Sequence, residues 1–378
     1  MALNGVGRRI ALALALVAIV AGVVAITASQ QSDADRGASF KLPHLTVAQL
    51  AGLRVVASFR QAGAGRVPAA LARRIRAGTI GAVCLFAQNG DTVATIRKLT
   101  RKLQAIPRPK NLSEPLLIMI DQEGGEVRRI ADSPPAESAL QMAASHSAAH
   151  IRAVGVATAR GLRRAGVNVD LAPVSDIPRA GSTLLETKRT FGADPKTIPS
   201  YTAAFAGGLA HGGVVATAKH FPGFGAAKVN SDNESVTINL SAGTLRTVDE
   251  ASFKSVVKGG ARMVMVANAI YPALDRRAPA TLSRRIATTE IRRRLGFTGV
   301  TITDDLEAGA LKPYGSPGQI AVKSAAAGND LVLFARNYSS SEQAAKALTA
   351  ALRSGRLNMS EARAAAARIL ALRQSLAG

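Results

Sequence analysis

Gly-Val-Thr-Ile-Thr-Asp, residues 299–304, is a short β-branched run that stops at a pair of carboxylates, Asp304-Asp305. Seven further apolar runs share its character: Val55–Phe59, Ile80–Phe86, Leu116–Ile120, Val167–Pro173, Val214–His220, Met263–Ala269 and Asp330–Phe334. Continuous apolar runs of this length fit parallel strands buried on both faces. Helix-like segments lie between them, among them Ala203–Leu209, Leu245–Lys258 and Pro317–Ala327. Eight strands alternating with helices predict an α/β fold, a (β/α)8 TIM barrel forming a single catalytic-type domain. An open doubly wound sheet is the rival, but the chain lacks the G-x-G-x-x-G turn that such a nucleotide-binding sheet carries. The tail from Ser341 to Leu376 reads as two helices, the second opened by the capping pattern Asn358-x-x-Glu361.

Composition narrows the function classes. The chain has 378 residues, 47% hydrophobic and 19% charged, which excludes a disordered protein. Cys84 is its one cysteine, so neither an internal disulfide nor a multi-thiolate metal site can form. Of the five histidines, only His146 and His150 stand at H-x-x-x-H spacing. No glutamate follows His146, which argues against a zinc protease. The formal charge of +23 draws polyanions, including acidic cell-envelope polymers. Nucleic acid is not the expected partner: aromatics make up 4%, tryptophan is absent, and basic residues are scattered as in Arg73-Arg74 and Arg292-Arg293-Arg294.

The N-terminus reads as a targeting segment. Arg8-Arg9 precede the apolar run Ile10–Ile26, and a polar linker, Ser29–Gly37, follows. This predicts a signal peptide or membrane anchor over residues 1–28, a linker over 29–43 and the barrel over 44–378. The protein is expected to be exported, to the extracellular space or cell envelope. If the segment is not cleaved at the poor site near Ala25–Ala28, it tethers the chain to the membrane.

In a TIM barrel the active site lies at the C-terminal ends of the strands. Polar residues collect at those ends: Asp121-Gln122-Glu123, Asp176, Lys219-His220, Asn268 and Asp304-Asp305. Any one of them has a structural alternative, such as a cap or a bond to a backbone amide. As a set at one mouth they point to chemistry. No G-x-S-x-G elbow and no phosphate-cradling lysine loop is present, whereas paired carboxylates suit cleavage of a glycosidic bond.

At these residues the chain resembles glycoside hydrolase family three, in particular its single-domain β-N-acetylhexosaminidase branch. The matching stretches are Ile120-Asp-Gln-Glu-Gly-Gly-Glu-Val-Arg-Arg129, Val169-Asp-Leu-Ala-Pro-Val-Ser-Asp176, Arg189-Thr-Phe-Gly-Ala-Asp-Pro195, Ala218-Lys-His-Phe-Pro-Gly223, Pro279-Ala-Thr-Leu-Ser283 and Gly299-Val-Thr-Ile-Thr-Asp-Asp-Leu-Glu307. The resemblance implies that Asp304 is the nucleophile of a retaining glycosidase, forming a covalent glycosyl-aspartate. It also implies that Asp121, Arg189, Lys219 and His220 bind the hydroxyls of the first sugar. A basic environment is expected to keep Asp304 ionised. The implied substrate is β-linked N-acetylglucosamine in cell-wall-type glycans. No metal and no organic cofactor is implied, and a monomer suffices.

The chain departs from that branch where the acid/base should stand. Phe224 replaces a histidine, Asn230 and Asp232 occupy the places of an Asp-x-His dyad, and Asn268 replaces a third histidine. Asp232 is therefore the first candidate proton donor and Glu234 a weaker one, each needing an environment that raises a carboxyl pKa. Two alternatives remain: a degenerate member that binds glycans with little hydrolysis, and a β-glucosidase or other β-glycosidase of the same family.

Overall fold

The computed structural model describes residues 41–59, 65–145 and 147–377. The expected export segment, the linker up to residue 40 and His146 lie outside them. Eight parallel strands close on themselves: β1 (Val55–Ala57), β2 (Ala82–Leu85), β3 (Leu117–Ile120), β4 (Val169–Asp170), β5 (Val215–Phe221), β6 (Met263–Val266), β7 (Val300–Asp305) and β8 (Leu331–Phe334). Each pairs with its neighbours in sequence, and β8 returns to β1 through Val55↔Val332. All eight fall on the eight apolar runs, so the (β/α)8 expectation holds. Among the described residues no helix is long and apolar enough to cross a membrane.

Alternate residues of each strand point inward. Val56, Ala82, Cys84, Leu117, Met119, Val169, Leu171, Val215, Met263, Met265, Val300, Ile302, Leu331 and Leu333 form one buried cluster, a packed interior rather than a pore. The final helix, Met359–Gln374, adds Ile369 and Leu372 to that cluster. Arg368 bonds to Asp330, just before β8, and Arg373 to the Glu114 and Pro115 carbonyls, just before β3, so the helix covers the N-terminal end of the barrel.

Three local expectations need correction. Strand β4 covers only Val169–Asp170 of the expected Val167–Pro173: the Val167 amide is spent on the preceding helix, at Leu162, and Pro173 has no amide proton for the ladder. The segment expected as one helix over Leu245–Lys258 begins with a π-helical turn, Leu245–Asp249, before the α-helix Glu250–Lys258. Only half of the capping box at the last helix forms: Asn358 Oδ1 accepts from the Glu361 amide at 3.1 Å. The Glu361 carboxylate instead pairs with Arg284, at 2.5 and 3.2 Å.

At the closed end a buried ion cluster joins distant elements. Asp330, fully buried just before β8, accepts from Arg292 Nη2 at 2.6 Å, Arg368 Nη2 at 2.7 Å and the Thr301 amide at 2.9 Å. Arg54, beside β1, donates to the Asn329 carbonyl at 2.6 Å. Burial alone would raise the Asp330 pKa, but Arg292 and Arg368 outweigh it and hold the carboxyl below its usual range. A depressed folded-state pKa stabilises above the ordinary carboxylate pKa, and that contribution is lost as pH falls through the folded value. Removing one member of a buried pair leaves charge uncompensated, at a cost of about 3–5 kcal/mol. Asp330→Ala should therefore lower the unfolding free energy by that amount in urea titrations at pH 7, and the difference should shrink in strong acid. Equal stability at pH 7 would contradict this.

Candidate active site

The strand alternation that fills the interior also selects the side chains at the mouth. In β7, Val300 and Ile302 face inward, so Asp304 is next on that face. Leu117 and Met119 lead in the same way to Asp121, one residue beyond β3, and Val215 and Thr217 lead to Lys219. These three polar residues stand above an apolar floor of Leu171, Met265 and Leu333, in a cavity of about 730 Å³ at the C-terminal strand ends. Phe86, Arg129, Arg189, His220, Phe224, Asp232 and Arg336 complete most of its wall.

One buried ion network organises the wall. Lys219 Nζ donates to Asp121 Oδ1 at 2.7 Å and lies 2.6 Å from Glu123 Oε1. Glu123 in turn receives a two-pronged contact from Arg189, with Nε and Nη2 each at 2.8 Å. The Lys219 and Glu123 side chains are 3% and 5% exposed. Burial disfavours every charge here, yet mutual attraction wins. Arg189 and Lys219 hold the Glu123 carboxyl well below the usual range, while Asp121 and Glu123 raise the Lys219 pKa. The loop carrying Glu123 is fixed locally. Gln122 accepts from the amides of Arg129 and Ile130, both at 3.0 Å, and Gly124 turns with φ +101° where a side chain would collide with the Glu137 carbonyl.

His220 faces the same cavity and is held from behind. Its Nδ1 lies 2.8 Å from Asp176 Oδ2, which also accepts the His220 amide, and Asp176 Oδ1 accepts the Phe224 amide at 2.6 Å. Asp176 is fully buried and does not line the cavity, so it orients His220 rather than standing at the mouth as expected.

The paired carboxylates of β7 both reach the cavity wall but are engaged differently. Asp304 points into the cavity, its Oδ1 accepting the Asp305 amide at 2.8 Å. Asp305 turns toward the β8 loop, accepting the amides of Glu307 and Ala335 at 3.0 Å each and Arg336 Nε at 3.1 Å. Burial pushes the Asp305 pKa up to about 6. Burial also raises the Asp304 pKa, and neighbouring Asp232 adds to the rise against opposition from His220 and Lys219. Desolvation and the second carboxylate thus outweigh the basic neighbours, and the Asp304 pKa stands above its ordinary value.

Of the candidate donors, Asp232 lines the cavity within electrostatic reach of Asp304, whereas Glu234 is exposed and lines none of it. Asn268, also expected at the mouth, is buried: its Nδ2 donates to the Asp305 carbonyl at 2.7 Å and its Oδ1 accepts from Thr281 at 2.8 Å. It ties the end of β7 to its neighbours. Glu123 and Arg336 are the site residues whose weight the sequence alone does not reveal. Among the described residues no cluster of three or more His, Cys, Asp or Glu side chains is placed to hold a metal ion.

This constellation can grip vicinal hydroxyls and present a carboxylate to an anomeric carbon. The family model for the glycosyl hydrolase family 3 N-terminal domain matches residues 44–372. The chain belongs to glycosyl hydrolase family 3. It is 37% identical over 316 residues to an "uncharacterized secreted glycosyl hydrolase" of Arthroderma benhamiae, covering 82% of this chain and 89% of that one. A β-hexosaminidase of Nitrosomonas eutropha is 32% identical over 271 residues, covering 70% and 76%. Among solved structures, a family 3 β-N-acetylglucosaminidase from Paenibacillus sp. str. FPU-7 superposes with a TM-score of 0.82 at 31% identity. It covers 88% of this chain, which spans only 63% of that longer one. A β-N-acetylhexosaminidase from Beutenbergia cavernae gives 0.80 at 27% identity, covering 88% and 99%. This family 3 chain is a glycosidase acting on O-glycosyl compounds.

A carboxylate nucleophile must be ionised, so a raised Asp304 pKa moves the acid limb of activity upward. The kcat/KM for an aryl β-glycoside should fall as pH drops through an apparent pKa above the ordinary aspartate value of about 3.9. A pH–rate profile with its acid limb at or below that value would refute the desolvated setting of Asp304.

Proposed function

We propose that this chain is an exported, retaining β-N-acetylhexosaminidase that removes β-linked N-acetylglucosamine from cell-wall-type glycans. The observation that carries the reading is the inward-facing Asp304 carboxylate, set above an apolar floor and opposite the Asp121–Lys219–Glu123–Arg189 network. In the first step an Asp304 oxygen bonds to the anomeric carbon as the glycosidic C–O bond breaks, and Asp232 gives its proton to the leaving oxygen. In the second step water attacks the same carbon, Asp232 takes the water's proton, and the bond to Asp304 breaks. Asp121, Arg189, Lys219 and His220 hold the hydroxyls of the sugar that becomes bonded to Asp304, through both steps. The names of the Nitrosomonas, Paenibacillus and Beutenbergia relatives support the N-acetylhexosamine preference. Export rests on the Arg8-Arg9 and Ile10–Ile26 segment and on the secreted Arthroderma relative. The +23 charge favours acidic envelope polymers as the setting.

The test uses protein lacking its first 35 residues and two substrates: an aryl β-N-acetylglucosaminide, whose leaving group needs little protonation, and N,N′-diacetylchitobiose, whose leaving group needs an acid. Asp304→Asn should abolish turnover of both. Asp232→Ala should lower kcat/KM for the disaccharide about 10²–10⁴-fold, the range of general acid–base catalysis, and kcat/KM for the aryl substrate far less. Sugar binding with no turnover of either substrate would favour a degenerate glycan-binding member. Faster cleavage of the plain β-glucoside would remove the acetamido preference.

A further inference from the structure

We infer that Arg336 is a positioning residue that fixes the Asp232 loop over Asp304. The inference rests on the reading of Asp232 as proton donor and extends it to a residue that takes no part in the bond changes.

Three loops meet beside Asp304, following β5, β7 and β8. Glu307, from the β7 loop, holds the β8 loop by its backbone and side chains: it accepts the amides of Arg336 and Asn337 at 2.7 and 3.0 Å, Asn337 Nδ2 at 2.8 Å and Ser340 Oγ at 2.8 Å. Arg336 then spans outward from this fixed base. Its Nε donates to Asp305 Oδ2 at 3.1 Å, and its Nη2 donates to the Asp232 carbonyl at 3.3 Å and lies 3.5 Å from Asp232 Oδ1. A second tie runs from the β7 loop, where the Gly309 amide donates to the same Asp232 carbonyl at 2.8 Å and the Ala310 amide to Ser231 at 3.1 Å. Arg336 is therefore the side chain that links the residue beside the nucleophile to the donor candidate.

The link works by geometry more than by charge. The Arg336 and Asp232 side chains are each 47% exposed, so water screens their attraction. What a guanidinium supplies here is a rigid fork reaching two acceptors in different directions. A lysine keeps the charge but offers a single flexible point. Proton transfer depends steeply on placement, and a displaced donor costs most where the leaving group is poor.

The experiment measures the ratio of kcat/KM for N,N′-diacetylchitobiose to that for the aryl β-N-acetylglucosaminide in Arg336→Ala, Arg336→Lys, Asp232→Ala and the double variant Asp232→Ala/Arg336→Ala. Active-site titration with the aryl substrate corrects for folded fraction, and a purely structural defect would lower both rates together without moving the ratio. The inference predicts that Arg336→Ala and Arg336→Lys each lower the ratio about tenfold or more, and that the double variant matches Asp232→Ala because the two residues act as one unit. An unchanged ratio in Arg336→Ala, restoration by Arg336→Lys, or additive losses in the double variant would overturn it. If Asp232→Ala itself leaves the ratio intact, the donor reading falls and the inference with it. If Asp232→Ala lowers the ratio and Arg336→Ala does not, only the inference falls.

Discussion

The active-site wall rests on charge compensation out of water. Lys219 and Glu123 are nearly inaccessible, and an isolated buried ion of either sign is strongly disfavoured. Each is tolerable only because the others stand within hydrogen-bond reach, Asp121 and Arg189 included. That mutual need fixes the relative positions of the loops after β3 and β4 and the end of β5, which supply the four groups. The same groups supply the donors and acceptors that a sugar's hydroxyls require, so the constraint that holds the wall together also prepares it to bind.

A second constraint is the two-residue period of the strands. It buries Val300 and Ile302 and by the same count delivers Asp304 to the cavity, while Asp305, at the cavity wall, has its carboxylate taken up by the β8 loop. The apolar floor under Asp304 keeps it desolvated, which explains why its pKa rises although a lysine and a histidine are close. Desolvation makes a carboxylate harder to ionise and, once ionised, less shielded by water.

The eight strands were legible because each is a compact apolar run bounded by polar or turn residues. Asp304, Asp121, Lys219 and His220 were legible because they end such runs, and Arg189 through the resemblance of its motif. Asn268 and Asp176 were misplaced for identifiable reasons. Counting from Met263 and Met265, Asn268 falls on the outward face, so alternation would have removed it from the mouth. Asp176 lies beyond the regular ladder, where no period applies, and its partner His220 is 44 residues away. Glu123 and Arg336 owe their weight to pairings 66 and 104 positions distant in sequence, which no local pattern records.

The proposed mechanism has Asp304 attack the sugar. A 5-fluoro glycosyl fluoride of the β-N-acetylglucosamine series, reacted with the enzyme and followed by mass spectrometry of its peptides, tests this most directly. The account predicts one added sugar, carried by the peptide containing Gly299–Glu307 and located on Asp304. A label on Asp305 or Asp232, or turnover of ordinary substrates by a protein that never acquires the label, would contradict it.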